Sequence, residues 1–175
     1  MQRHLRDMAF LVGIVLAIGG CDPGEAPLFG SNPADIPDPD PQFIKIFHQY
    51  SFRDTLDTFH GRLTKDLILD GTVTIWFWLT TAEQESLQVE LEREQFFAMP
   101  DTLFPIPGMD IDPNPSPDVL RVEAGGVEKT VVWIFPLEPS LPHNQSILRL
   151  SAAIRRIVES RKEYKQLPQP RGGYL

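Results

Sequence analysis

RLTKDLILDGTVTIWFWLTTAEQESLQVELEREQFFAMPD, residues 62–101, contains the passage from strand to helix that decides the fold. Asp70-Gly71 separates two runs rich in β-branched and apolar residues. Asp-Gly suits a type I′ turn, whose two central residues both need positive φ, so the segment reads as a β-hairpin. In its second arm Trp76 and Trp78 share one face, while Ile75, Phe77 and Leu79 share the other. With both faces apolar, that strand is expected to be central. The pattern then changes to a helix. Thr80 and Glu83 have capping-box spacing, and Thr81 with Gln84 offers a second register. Glu83 and Glu85 would sit in the first turn, where the helix dipole favours acids. Leu87 and Leu91 form a narrow apolar stripe, and Glu83, Glu85, Glu90, Glu92 and Glu94 read as the solvated face. Phe96-Phe97 close the helix and Pro100 stops it.

Upstream, FIKIFHQYSF (43–52) places Ile44, Ile46, His48, Tyr50 and Phe52 on one face of a strand. Downstream, residues 102–118 carry five prolines and read as a loop. VLRVEAGGVEKTVVWIF (119–135) reads as a second hairpin around Gly125-Gly126, with Leu120, Val122 and Ala124 alternating with Arg121 and Glu123. Asn144 is the expected N-cap of a last helix, in which Ile147, Leu150, Ile154, Ile157 and Val158 follow helical spacing. Arg161, Lys162 and Lys165 lie where they would complement its dipole. The order is β-β-β-α-loop-β-β-α. It predicts an α+β domain over 43–168, with an antiparallel sheet of about five strands and two helices on one face. Residues 169–175 are expected to be a flexible tail.

The N-terminal residues give an address. MQRHLRDM carries Arg3 and Arg6, the apolar run 9–18 follows, and Gly19-Gly20 precede Cys21, the single cysteine of the chain. This is the layout of a secretory signal peptide over 1–20, too short in its apolar part to span a bilayer. Ile18-Gly19-Gly20-Cys21 resembles the lipobox of bacterial lipoproteins. That resemblance implies diacylglyceryl transfer to the Cys21 thiol and cleavage just before it. Asp22 resembles the inner-membrane retention signal of enteric bacteria, a rule that differs among bacteria, so inner versus outer membrane stays open. Residues 21–42 follow as a tether, rich in proline and acid and without Lys or Arg.

Lipidation of Cys21 would leave no thiol for a disulfide, a Cys-based metal site or nucleophilic catalysis. The chain has a net charge of −8. Excision of 1–20 would make the remainder one unit more acidic. Nucleic acid, bound through Lys and Arg contacts to phosphate, is therefore not an expected partner.

Chemistry is sparse. His48, His60 and His143 lack zinc-site spacing; His48 reads as a packed strand residue, His60 as a turn residue and His143 as an aid to capping. Asp110 to Asn114 start like a calcium loop, with Asp110, Asp112 and Asp118 as candidate ligands, but Pro115 and Arg121 stand where the EF-hand needs Gly and Glu. GxSxG, Walker A and GxGxxG are missing. Trp76, Trp78 and Trp133 read as packing residues, and an outward-facing Trp76–Trp78 pair would be an apolar patch for a partner. No catalytic, cofactor-binding or metal-binding residue is assigned.

A second resemblance runs over about residues 64–158. Phe96, Phe97, Met99 and Pro100, then Pro117 and Asp118 entering a hairpin, are similar to the emfourin-type domain. Some members of that family inhibit metalloproteases, which implies an inhibitory or binding role. The family's glycine-rich first strand motif is missing here, and no inhibitory residue carries over. Small lipoproteins of unknown function share the layout. The expectation is a lipid-anchored, non-enzymatic module that binds a protein of the cell envelope through the proline-rich loop or an edge strand. A protease inhibitor is the first alternative, and a hydrolase or carbohydrate-binding module the second.

Overall fold

A computed structural model describes residues 40–106, 108 and 116–173. The signal peptide, Cys21, the tether up to residue 39, and Asp110 and Asp112 lie outside the described residues. The described chain forms an α+β fold. Its strands are β1 (Ile44–Tyr50), β2 (Asp54–Asp57), β3 (Arg62–Asp66), β4 (Thr72–Trp76), β5 (Thr102–Leu103), β6 (Asp118–Ala124) and β7 (Val127–Trp133). The helices are α1 (Thr81–Arg93), α2 (Pro142–Ser160) and the short α3 (Lys162–Lys165).

The strands make one sheet in the order β4-β3-β2-β1-β6-β7-β5. Every pairing is antiparallel except the last, where β5 runs parallel to β7. The sheet is thus mixed and seven-stranded, where five antiparallel strands were expected. The two additional strands leave little trace in sequence. In β2, only Leu56 is apolar, and β5 is two residues cut from the start of the proline-rich segment. β4 proves to be an edge strand, not a central one.

Alternation sorts the sheet into two faces. Ile44, Ile46, Leu56, Leu63, Val73, Ile75, Leu120, Val122, Val131 and Trp133 point to one side. There they share a single buried cluster with Leu87 and Leu91 of α1 and Ile147, Leu150, Ile154 and Val158 of α2. α1 and α2 therefore cover that face, as expected. Two ion pairs link the helices. Arg161 reaches the Glu83 carboxylate at 3.1 Å, and Arg149 grips Glu94 with two bonds of 3.0 and 2.8 Å. Glu94 is thus buried rather than on the solvated face.

The capping box forms as read: the Glu83 amide donates to Thr80 Oγ1 and the Thr80 amide to Glu83 Oε2. Gln84 has a different task from capping. Its Oε1 accepts the amides of Phe43 and Ile44 at 2.8 and 3.1 Å, and its Nε2 donates to the carbonyls of Pro41 and Leu79. The helix ends at Arg93, before Pro100, because Gln95 turns left-handed at φ 51°. Phe96 then enters the core from a short 3₁₀ turn.

The hairpins differ in their turns. Gly125 and Gly126, both at positive φ, link paired Ala124 and Val127 in the expected two-residue form. At the other hairpin Asp66 pairs with Thr72, so five residues intervene, and the positive φ values fall on Ile68 and Gly71 instead of Asp70 and Gly71. Asn144 is not an N-cap. Leu141 occupies that place with Pro142 following, and Asn144 is buried, donating to the carbonyls of Phe104 and Glu138. His143 lies in the first turn of α2. Arg161 is the C-cap residue of α2, with its guanidinium on the Trp78 carbonyl and Glu83 instead of the helix end. Within 169–175, Arg171 bridges Ile68.

Replacing Gln84 by Leu strands two backbone amides and two carbonyls at the junction of β1 and α1. Unsatisfied buried groups cost about 1–3 kcal/mol each, and water reaches some of these, so a loss of about 2–4 kcal/mol is expected. Urea denaturation followed by tryptophan fluorescence measures it.

Candidate functional site

The two faces of the sheet carry different chemistry along adjacent cross-strand rows. On the helix-covered face, register aligns Ile75, Leu63, Leu56, His48, Leu120 and Val131 from β4 to β7. His48 is the one polar side chain in that row and is fully buried. Its Nε2 lies 3.1 Å from Ser151 Oγ on α2. Its Nδ1 meets no hydrogen-bond partner among the described residues. Burial, with the nearby Arg155 guanidinium, pushes its pKa down to about 3. A serine–histidine contact of this kind invites a catalytic reading. A base that weak, closed off by α2, lacks both the proton affinity and the access that general-base catalysis needs. His48 is the packed strand residue that the sequence suggested.

Beside it, at the end of the sheet where β1 finishes and β6 starts, is a group of shifted acids. Asp118 is 7% exposed, and burial raises its carboxyl to about 6, against a bond from the Ser51 amide. Asp54 is raised by burial although it accepts the Asp66 amide at 2.9 Å. Tyr50 and Tyr164 are raised by burial as well. Arg155, over the Tyr50 ring at 5.4 Å, is the cation they share. Asp118, once a candidate calcium ligand, is a strand residue facing the core. Among the described residues no three His, Cys, Asp or Glu side chains are grouped to hold a metal ion.

The opposite face of the sheet has no helix on it among the described elements. Its register aligns Trp76, Arg62, Asp57, Phe47, Arg121 and Thr130 across six strands. At about 4.8 Å per strand this row is roughly 24 Å long. An open groove of about 380 Å³ follows its middle, lined by Phe47, Phe59, Val119, Arg121, Thr130, Asp57 and His60. Phe59 comes from the β2–β3 turn and lies under two cations, Arg121 at 4.5 Å and Lys45 at 5.9 Å. Ion pairs fix those cations: Lys45 with Glu123 at 3.1 Å and Arg121 with Glu128 at 2.7 Å. His60, in its turn, bonds Asp57 at 2.7 Å. At the β4 end Trp76 and Trp78 stack with rings parallel, 5.6 Å apart. Trp78 lies on Gly61, where a Cβ would come within 2.2 Å of the indole.

The groove brings the exposed His60–Asp57 contact and the Thr130 side chain to one lining. It presents half-buried aromatic surface with fixed charges, the composition of a recognition surface. The sequence placed Trp76 and Trp78 together on one face. Phe47, Phe59 and Arg121 were missed as a group, because they come from three segments that meet only through strand pairing. No family model, curated protein or solved structure matches this chain.

The buried groups make the pH response composite. Asp118 holds its proton to about pH 6 in the fold and to about the ordinary 3.8 when unfolded. The stability linked to its neutral form is therefore complete below 3.8 and lost as pH rises through 6. His48 has the opposite sign: its contribution is complete above the ordinary 6.5 and lost as pH falls towards 3. Between pH 6 and 4 the two slopes, each at most about 1.4 kcal/mol per pH unit, oppose one another. Asp118→Asn is expected to uncover the His48 slope, so that stability falls more steeply on acidification than in the parent protein. Urea midpoints measured at stepped pH test this, and parallel curves would contradict the assignment.

Proposed function

We propose that this chain is a lipid-anchored protein of the bacterial cell envelope. Its folded part is a non-enzymatic module that binds another envelope protein through the helix-free face of its sheet. The observation that supports the binding role is the row Trp76, Arg62, Asp57, Phe47, Arg121 and Thr130, with Phe59 under its two cations. Aromatic and arginine side chains are enriched where proteins bind one another, and a surface that rigid loses little entropy on docking. His48, Asp118 and Tyr50, whose pKa values are shifted by burial, lie on the other side of the sheet. The anchoring part of the reading rests on Ile18-Gly19-Gly20-Cys21 and the run before it. Among the described residues no helix is long and apolar enough to cross a membrane.

Two measurements test the two parts. Placing a benzophenone side chain at position 59 in the full chain, in cells, is expected to give a discrete crosslinked species that Arg121→Glu removes. The same probe at position 89, on the exposed side of α1, is expected to give none. Equal yields at both positions would count against the face. Mass spectrometry of the N-terminal peptide is expected to find acyl groups on Cys21, and Cys21→Ala is expected to release the protein from membranes. An unmodified Cys21 in the membrane fraction would refute the anchor.

A further inference from the structure

The turn between β3 and β4 is held against its own preferences. Ile68 has φ 63°, a left-handed backbone in which a β-branched side chain is a steric outlier. The following Asp70-Gly71 favours a two-residue turn that would leave Ile68 in the extended ladder. Three bonds within the turn support this conformation without removing the penalty at Ile68: the Ile68 amide donates to Asp66 Oδ1 at 2.9 Å, the Leu67 amide to the Gly71 carbonyl at 2.8 Å and the Asp70 amide to the Leu67 carbonyl at 3.5 Å.

The last described residues of the chain close over this turn. Leu167 is buried in the core, and the Tyr164 ring lies 4.7 Å from the Lys65 ammonium, so the segment is fixed at its start. At its end Arg171 takes part twice. Its amide donates to the Leu67 carbonyl at 3.2 Å and its carbonyl accepts the Leu69 amide at 3.4 Å. Its guanidinium grips both oxygens of Asp70, at 2.7 and 2.5 Å. Gly172 lies so close to Leu69 that a Cβ there would come within 2.9 Å of the leucine side chain. Backbone, charge and shape all engage the same few residues.

We propose that residues 166–173 form a clasp that keeps the β3–β4 turn sprung. When the clasp lets go, the turn relaxes and the edge strand β4, which leads into the Trp76–Trp78 pair, loosens from the sheet. Strain held at one turn and released by a separate exposed segment is a conformational device, because the strained residue and its restraint are separate parts of the molecule. β4 is suited to respond, being paired on one side only, with β3. The device does not depend on the open face binding a partner.

Hydrogen exchange on the full chain tests it. Arg171→Ala is expected to speed exchange of the β4 amides on the order of tenfold while those of β6 and β7 keep their rates, as local opening requires. Ile68→Gly in the same chain is expected to suppress that acceleration, since glycine adopts left-handed backbone without a Cβ penalty. If Arg171→Ala leaves β4 unchanged, or accelerates β4, β6 and β7 alike, the clasp is wrong. If the double variant exchanges as fast as Arg171→Ala alone, the turn is not sprung, and the proposal fails on that outcome too.

Discussion

The side-chain amide of Gln84 joins the two layers of this protein. One buried group accepts two backbone amides ahead of and within β1 and donates to two backbone carbonyls, one before β1 and one before α1. A side-chain amide has two donors and two acceptor lone pairs, and all four are used. The start of the central strand and the first turn of the first helix therefore have one permitted spacing. Asp40 strengthens the same corner by accepting the amide and hydroxyl of Thr81. The helix layer inherits its position from there. Once α1 is placed, Glu83–Arg161 and Glu94–Arg149 align α2 antiparallel to it, and the apolar sides of both helices meet the sheet.

That arrangement gives the two faces of the sheet different freedoms. His48 and Asp118 are confined beneath the helices, where burial keeps the one neutral and holds the other above the ordinary carboxylate range, while between the helices Glu94 is drawn down to about 2 by Arg149. Their shifts are properties of packing. The other face keeps its aromatic and charged side chains in place by pairing them with one another. Phe59 under Lys45 and Arg121, and Trp78 on Gly61, are surface groups with little conformational freedom left to lose.

Local pattern made much of this legible. Alternation revealed β1 and β6, apolar and β-branched runs about their turns revealed β3, β4 and β7, the capping box fixed the start of α1, and Gly125-Gly126 announced its turn. Pattern failed where a residue's role is set by something far away in sequence. Gln84 looked like part of a cap, because its four backbone partners come from segments the sequence does not bring together. Glu94 looked solvated until Arg149 reached it. β2 offers one apolar residue, too little for a period-two signal. Asp70-Gly71 promised a two-residue turn, but that register would shift β4 by three residues against β3. An odd shift would turn Val73 and Ile75 to the open face and bring Trp76 and Trp78 under the helices. Burial chose the register, and the turn had to comply. The open-face groove was hidden for a similar reason, since Phe47, Phe59 and Arg121 become neighbours only after strands pair.

The position of β1 has a mechanical consequence. Residues 40–43 lead directly into this strand, which lies between β2 and β6 in the interior of the sheet. Tension applied from the N-terminal side would pass lengthwise into β1. It would load the ladders on both flanks together, in shear, with Gln84 and the Asp40–Thr81 contact at the point of attachment. An edge strand pulled the same way could yield one bond after another, like a seam. A chain drawn from that side thus bears the load on a strand held along both edges, leaving the β4 edge, with Trp76 at its end, outside the line of force.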